Sequence, residues 1–361
     1  MNLNTIGWHP FFEAQFNELN NADLRPARVV EEHRERYLVW SDQGELTAQV
    51  SGKLRHAAVL RSDFPAAGDW VAIEPTDNDQ AIIQAVLPRR TAFIRKGISA
   101  NDKADNQVLA ANVDTVFLVS GLDRDFNVRR IERYLTIAWD SGVSPVIILN
   151  KADLCDQLEE CIAETEAAAI GVPVHTMNAL EEHGSDGVLS YLAPGKTIAF
   201  LGSSGVGKST IINRLLGEER QQTGEISEAV GKGRHTTTTR ELILHRSGAI
   251  LIDTPGMRQL GMWTDESGLS RTFDDLESVA ANCRFADCTH NEEPGCAVRA
   301  AIESGELDVK RLENYRRLQR EIAFQSRRND KAAQNKASRE WARKIRMHQN
   351  AMKELRKKGL R

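Results

Sequence analysis

The spacing of apolar positions changes character twice along the chain. Between residues 35 and 90, short β-prone runs alternate with turn clusters. The runs are Arg36-Tyr-Leu-Val-Trp40, Leu46-Thr-Ala-Gln-Val50, Asp69-Trp-Val-Ala-Ile73 and Ala81-Ile-Ile-Gln-Ala-Val86; the clusters include Ser41-Asp-Gln-Gly44 and Thr76-Asp-Asn-Asp79. Several short strands at this spacing predict a small β-barrel. A five-stranded OB-fold, whose open face commonly binds oligonucleotides, fits the pattern, and so does an SH3-like barrel. From residue 108 to 265 the runs become uniformly apolar: Val113-Asp-Thr-Val-Phe-Leu-Val119, Val146-Ile-Ile-Leu149, Thr197-Ile-Ala-Phe-Leu201 and Ala249-Ile-Leu-Ile252. Helical patterns, Val128 to Trp139 and Leu154 to Ile170, lie between them. Strands buried on both faces and alternating with helices predict a parallel α/β sheet.

The remaining segments divide the chain further. Residues 1–34 are a weakly patterned N-terminal extension. Pro88-Arg-Arg90 opens a linker that runs to about Gln107. Residues 266–325 read as helices around one loop, and residues 326–361 as a polar, basic tail. In that tail Trp341, Ile345 and Met352 share a stripe, which suits either a weakly docked helix or a segment ordered by a partner. The expected organisation is therefore a multidomain α/β protein with an N-terminal barrel and a C-terminal helical unit.

Charge sharpens this picture. The formal net charge is -4, yet residues 326–361 hold 13 Lys/Arg against 3 Asp/Glu, leaving 34 against 48 on residues 1–325. An acidic body with a basic tail suits an anionic partner, RNA first among candidates, although a solvated charged helix has the same composition. No run of 18 apolar residues occurs and the start lacks a secretory pattern, so a cytoplasmic protein with no membrane partner is expected.

Two motifs carry the chemistry. Gly202, Ser203, Ser204, Gly205, Val206, Gly207, Lys208 and Ser209 follow an apolar strand, and Thr210 opens a helical pattern. This is G-x-x-x-x-G-K-[ST] in the context that a phosphate loop requires. Its amides and helix N-terminus favour phosphate, Lys208 should reach the β/γ-phosphates, and Ser209 should coordinate magnesium. Asp253-Thr-Pro-Gly256 follows a second apolar strand, where Asp253 suits magnesium and the Gly256 amide suits the γ-phosphate. Between them, Gly233-Arg-His-Thr-Thr-Thr-Thr239 suits a first switch. Thr237 is the favoured third magnesium ligand, with Thr236 and Thr238 as alternatives.

The second motif is Asn150-Lys151-Ala152-Asp153, at the end of Val146–Leu149. Asp153 can accept from guanine N1–H and its exocyclic amine, an arrangement adenine lacks. Asn150 can bridge loops and Lys151 can lie against the ring. Thr176-Met-Asn-Ala179 is the candidate second base loop. In ordinary GTPases the phosphate loop precedes the guanine loop; here it follows, which indicates circular permutation. The residue after Gly256 is Met257, which cannot orient water as the glutamine of Ras-like enzymes does. His235 is the candidate for that task, alongside Lys208 and Thr237 in the catalytic set.

Five cysteines are present. Cys283, Cys288 and Cys296 surround His290, and Cys₃His is a closed structural zinc set. Cys155 and Cys161 fall in a helical pattern and read as packing residues.

The ordered set resembles the circularly permuted, ribosome-small-subunit-dependent GTPase A family over about residues 35–325. The matching stretches are Gly68-Asp-Trp-Val71, Pro88-Arg-Arg90, Ala110-Ala-Asn-Val-Asp114, the guanine loop, the phosphate loop, Gly233-Arg-His-Thr-Thr-Thr238, Asp253-Thr-Pro-Gly256 and the Cys₃His set. The resemblance implies an OB-fold, a permuted GTPase domain and a C-terminal zinc domain. It implies GTP hydrolysis stimulated by the small ribosomal subunit, binding over the decoding region, and action late in that subunit's maturation. It also implies nucleotide and magnesium roles for Lys208, Ser209 and Thr236–Thr238, and a catalytic role for His235. A monomer that meets GTP, GDP, the small subunit and its rRNA is expected. An RNA-binding placeholder in which GTP only sets conformation is the competing class, and a P-loop ATPase carrying N-K-A-D by accident is a third.

Overall fold

In a computed structural model of the chain, residues 1–33, 36–98, 104–181, 184–217, 241–253 and 267–327 are described. The lead-in forms helix α1 (Pro10–Asn17), started by Pro10 and capped by His9, whose Nδ1 accepts from the Phe11 amide at 3.1 Å. It lays Trp8 and Phe12 on Trp70, with ring centroids 4.7 and 5.9 Å away. Strands β1 (Arg25–His33), β2 (Arg36–Ser41), β3 (Gly44–Val50), β4 (Trp70–Thr76) and β5 (Gln80–Val86) pair in the order β1-β2-β3-β5-β4. β4 then returns to β1 and closes the barrel. β3 and β5 run parallel, the other pairs antiparallel, and α2 (Gly52–Ala57) crosses from β3 towards β4. That five-stranded closure is of OB type and settles the choice left open by spacing. Ala27, Val29, Val39, Ala48, Val71, Ile73 and Ile83 fill the barrel.

The barrel starts ten residues before the alternating pattern shows. β1 carries four charged residues among its nine, and its register shifts between Val29 and Glu31. Arg28 is buried within it: its guanidinium donates to Ile6 O at 2.6 Å and to Thr197 Oγ1 at 2.7 Å. A cation buried on the face opposite the barrel core of Ala27 and Val29 hides the strand from any reading of apolar period. Likewise, the expected linker contains a hairpin, β6 (Ala92–Ile98) and β7 (Ala104–Ala111). Its apolar residues cluster at one end, so no alternation is visible in the sequence.

Three stretches that carry the family resemblance meet where barrel and hairpin join. Gly68 has φ +92°, and a Cβ there would strike the Ala111 carbonyl. Asn112 receives the Arg90 amide at 2.9 Å and donates to Gly68 O at 3.1 Å. Asp69, fully buried, takes a two-pronged grip from Arg89, Nε to Oδ1 and Nη2 to Oδ2, both 2.7 Å. Arg89 also donates to Ser62 O and Phe64 O. Removing the cation strands a buried carboxylate, so Arg89→Met should cost about 3–5 kcal/mol. Urea denaturation of the two chains measures it, and a loss below about 1 kcal/mol would contradict the assignment.

The α/β sheet comprises β8 (Thr115–Gly121), β9 (Ser144–Asn150), β10 (Val174–Met177), β11 (Thr197–Gly202), β12 (Glu241–Leu244) and β13 (Ile250–Asp253). Their order is β10-β9-β8-β11-β13-β12, parallel except for β12. Counted from β11, the order reads 2-3-1-4-5-6. β12 pairs with β1 at Glu31↔Glu241, so barrel and α/β sheet are hydrogen-bonded into one 11-stranded sheet.

Period-two alternation sends Phe117, Val119, Val146, Ile148, Ile198, Phe200 and Leu251 to one face of the α/β sheet. Val116, Leu118, Ile147, Leu149, Ala199, Leu201, Ile250 and Ile252 take the other. Both faces are covered, which is why these strands read as continuous apolar runs. Helices α3 (Val128–Asp140) and α4 (Leu158–Ala168) pack on the second face, and α5 (Lys208–Leu216) on the first.

The C-terminal unit has α6 (Ser267–Thr272), α7 (Asp274–Ala280), α8 (Ala297–Ser304) and α9 (309–327). Leu269, Phe273, Leu276, Leu312, Leu318 and Ile322 share one hydrophobic cluster with α3 and the sheet. Arg311 of α9 pins this union, reaching Glu132 at 2.8 Å and Asp275 at 2.7 Å. Burial pushes the Glu132 carboxyl above its ordinary range, with Arg311 and Asn314 pulling it back. No helix among the described residues is long and apolar enough to cross a membrane.

Candidate functional site

The parallel strands β8, β9, β10, β11 and β13 end at one edge of the sheet, and the chemistry-bearing loops hang from that edge. β11 lies between β8 and β13, so the chain leaves it at the switch point where α/β sheets bind ligands. The phosphate loop runs from Gly202 to Gly207, and α5 begins at Lys208. Gly205 and Gly207 have φ of +78° and +96°. At Gly207 a Cβ would strike the Asn150 amide nitrogen, and at Gly202 the Val119 carbonyl. Glycine is required at both by close approach. Lys208 Nζ donates to Gly202 O at 2.8 Å and Ser203 O at 2.5 Å. Ser209 and Thr210 form the first turn of α5 behind it.

Asn150 ends β9 and is 2 % exposed. Its Nδ2 donates to Val206 O in the phosphate loop at 2.8 Å. Its Oδ1 accepts from the Ala179 amide at 3.2 Å, in the candidate second base loop after β10. One side chain thus ties three loops that are far apart in sequence. Lys151 takes a left-handed backbone, φ 63°, and its ammonium meets Asp123 at 2.6 Å. Burial raises the Asp123 carboxyl, but the Lys151 ammonium and the Asp125 amide more than offset it, leaving it below the usual range. Asp153 lies in the 3₁₀ turn Ala152–Leu154, exposed beside this edge.

The second cluster lies in the C-terminal unit. One ligand atom from each of Cys283, Cys288, His290 and Cys296 falls within 4.8 Å of the others. A tetrahedral zinc with ordinary bond lengths sets S···S near about 3.8 Å and S···N near about 3.6 Å. Cys283 Sγ lies 4.0 Å from Cys296 Sγ, and both lie 3.6 Å from His290 Nδ1. The donor set and its spacing therefore fit a closed structural zinc site, with Nδ1 as the imidazole ligand. Gly295 at φ +77° turns the chain back into Cys296. Cys155 and Cys161 stand apart from this cluster, 3.8 Å from each other and packed against the core.

A family model described as RsgA GTPase matches residues 86–263. A second model, described as ABC transporter, matches residues 186–358, and the overlap holds the phosphate loop common to both classes. The Small ribosomal subunit biogenesis GTPase RsgA of Opitutus terrae is 49% identical over 340 residues, 91% of this chain and 92% of the relative. The chain belongs to the RsgA GTPase family. The protein of that name from Syntrophotalea carbinolica is 45% identical over 92% of this chain and 93% of its own length. The crystal structure of YjeQ from Thermotoga maritima superposes with a TM-score of 0.63 at 27% identity, covering 83% of this chain and 99% of that one. As an RsgA-family GTPase, the protein is a GTP phosphohydrolase with an OB-type barrel, a permuted α/β core and a C-terminal Cys₃His unit.

The phosphate loop, Asn150, Lys151, Asp153 and the four metal-type donors all lie within the described residues. Asp253 closes β13, so its backbone reaches the same strand edge. His235, Thr236, Thr237, Thr238 and Gly256 lie outside the described residues. Residues that the sequence did not single out also shape the site: Asp123, which holds Lys151, and the pair of Asp125 and Arg130 beside Ser203. Nothing local marks Asp123, because its partner is 28 residues away and meets it only through the pairing of β8 with β9.

Proposed function

We propose that this RsgA-family GTPase binds the small ribosomal subunit, hydrolyses GTP late in that subunit's maturation, and leaves it on hydrolysis. The observation that carries the reading is the pair of bonds made by Asn150, which brings guanine and phosphate loops to one strand edge despite their reversed order. The relatives' shared description as small ribosomal subunit biogenesis GTPases supports this choice of partner.

In this reading, Asp153 receives guanine N1–H and its exocyclic amine, while the amides of residues 203–210 and the Lys208 ammonium hold the phosphates. Ser209, Thr237 and Asp253 hold the magnesium, which neutralises charge on the β- and γ-phosphates. The transition state is loose and strongly charged, so positioning and electrostatics supply the catalysis. His235 orients the attacking water when the subunit is bound. Zinc occupies the Cys₃His cluster. The basic tail, residues 326–361, contacts rRNA phosphates in the cytoplasm, and the protein acts as a monomer.

The test is multiple-turnover GTPase activity titrated with purified small subunits. Saturable stimulation supports the reading. Turnover that ignores subunits, with GTP still altering RNA binding, would favour a placeholder instead. Subunit affinity should be higher with a non-hydrolysable GTP analogue than with GDP, since a ligand without differential affinity shifts nothing.

Asp153→Asn tests base recognition separately. Asn can donate an N–H to the 2-oxygen of xanthine and accept its N1–H, whereas guanine presents two donors to it. Affinity for GTP should fall about 10- to 100-fold and xanthosine triphosphate should bind better than GTP. Unchanged preference would remove Asp153 from the base site.

A further inference from the structure

The loop after β8 grips both halves of the nucleotide site. Asp123 holds Lys151 of the guanine loop, and two residues later Asp125 holds Arg130 at 2.5 Å. Arg130 stands in the first turn of α3, its amide capped by Asn127 Oδ1 at 3.2 Å. The same guanidinium nitrogen, Nη1, donates to Ser203 Oγ at 2.6 Å. Ser203 is therefore held twice: its hydroxyl by Arg130, its carbonyl by Lys208 at 2.5 Å. The Arg130 pairing, with help from the Ser203 hydroxyl, keeps the Asp125 carboxyl below its usual range.

The anchorage of α3 is firm. On its other sides Arg129 meets Glu313 at 2.9 Å, Arg133 meets Glu321 at 2.6 Å, and Glu132 meets Arg311 at 2.8 Å, all on α9. A guanidinium stays charged at any working pH and presents a fixed fork of donors. Arg130, paired with Asp125, thus brings a permanently charged donor to the rim of the phosphate loop, mounted on a helix that cannot easily turn away.

We propose that Arg130 is a positioning residue of the phosphate loop, holding Ser203 and with it the carbonyl on which Lys208 rests, and that it thereby favours GTP over GDP. The proposal rests on the GTP-hydrolysing reading of the site. Lys208 serves the β- and γ-phosphates, so misplacing its support weakens the triphosphate more than the diphosphate.

The test uses the full chain and fluorescent GTP and GDP analogues. Arg130→Gln should weaken GTP binding about tenfold and GDP binding less than about threefold. Ser203→Ala should reproduce that asymmetry. The double variant should lose no more than the worse single one, because both remove one contact. Arg130→Lys, which keeps the charge and a donor, should recover GTP affinity to within about threefold. A merely structural role would lower the melting temperature and leave the GTP/GDP ratio alone. An unchanged ratio in Arg130→Gln, or additive losses in the double variant, overturns the proposal while wild-type GTP binding stands. A wild-type chain that binds no GTP overturns the GTPase reading itself, and this proposal with it.

Discussion

Replacing Lys208 with alanine should lower GTP turnover at least about a hundredfold, the scale of losing one preorganised charge-stabilising donor. Lys208 opens α5, and its ammonium already lies against the loop it serves, on Gly202 O and Ser203 O. Charge accumulates on the γ-phosphoryl oxygens as the bond to the leaving group loosens. A flexible ammonium can follow that charge, while the loop amides are fixed. Binding should suffer less than turnover, because the amides and the start of α5 remain. The expected signature is therefore a large drop in kcat with a KM change of about tenfold or less. Stability should change by no more than about 1 kcal/mol, since the lost hydrogen bonds are partly exposed. Single-turnover hydrolysis with and without small subunits measures the effect. Turnover within about threefold of the parent chain would show that Lys208 does not meet the reacting phosphate.

The parts of this molecule that could be read from sequence are those whose determinants are contiguous. β8, β9, β11 and β13 are legible because both faces are buried, so consecutive residues must all be apolar. β2 to β5 are legible because one face fills the barrel, while the outer face is polar on β3 and carries the buried Trp40 and Trp70 on β2 and β4. β1 escapes because Arg28, on the face away from the barrel core, is buried as a structural cation joining Ile6, Asn112 and Thr197. β6 and β7 escape because much of the hairpin is polar. β10 and β12 are four residues each, too short to carry a period. The site divides the same way. The phosphate loop, N-K-A-D and the Cys₃His set are compact strings whose residue types announce their ligands. Asp123, Asp125 and Arg130 acquire meaning only when β8, β9 and β11 lie side by side. Arg311 is illegible for the same reason: its partners Glu132 and Asp275 are 179 and 36 residues away.

The Cys₃His cluster predicts a second large effect, because a metal bound only in the folded state contributes its binding energy to folding. Structural zinc in small modules binds with about 10–16 kcal/mol, comparable to the whole stability of about 5–15 kcal/mol of an ordinary domain. Cys296→Ser is the sharpest probe. Cys296 is buried, and its Sγ accepts from the Arg299 amide at 3.4 Å as the N-cap of α8. Serine is a good cap, so the substitution keeps the helix start and removes the thiolate. Protein purified without chelator should hold one zinc per chain, and the variant little or none. Limited proteolysis should then cut the stretch from Asn282 to Cys296, whose backbone has few helical bonds of its own. Guanine nucleotide binding should persist, because its loops hang from β9 and β11, whose ladders involve neither α7 nor α8. Subunit-stimulated turnover should fall, because the C-terminal unit shares a hydrophobic cluster with α3, the helix that touches the phosphate loop. A variant with full zinc and unaltered proteolysis would show that the four donors do not act as one ligand set.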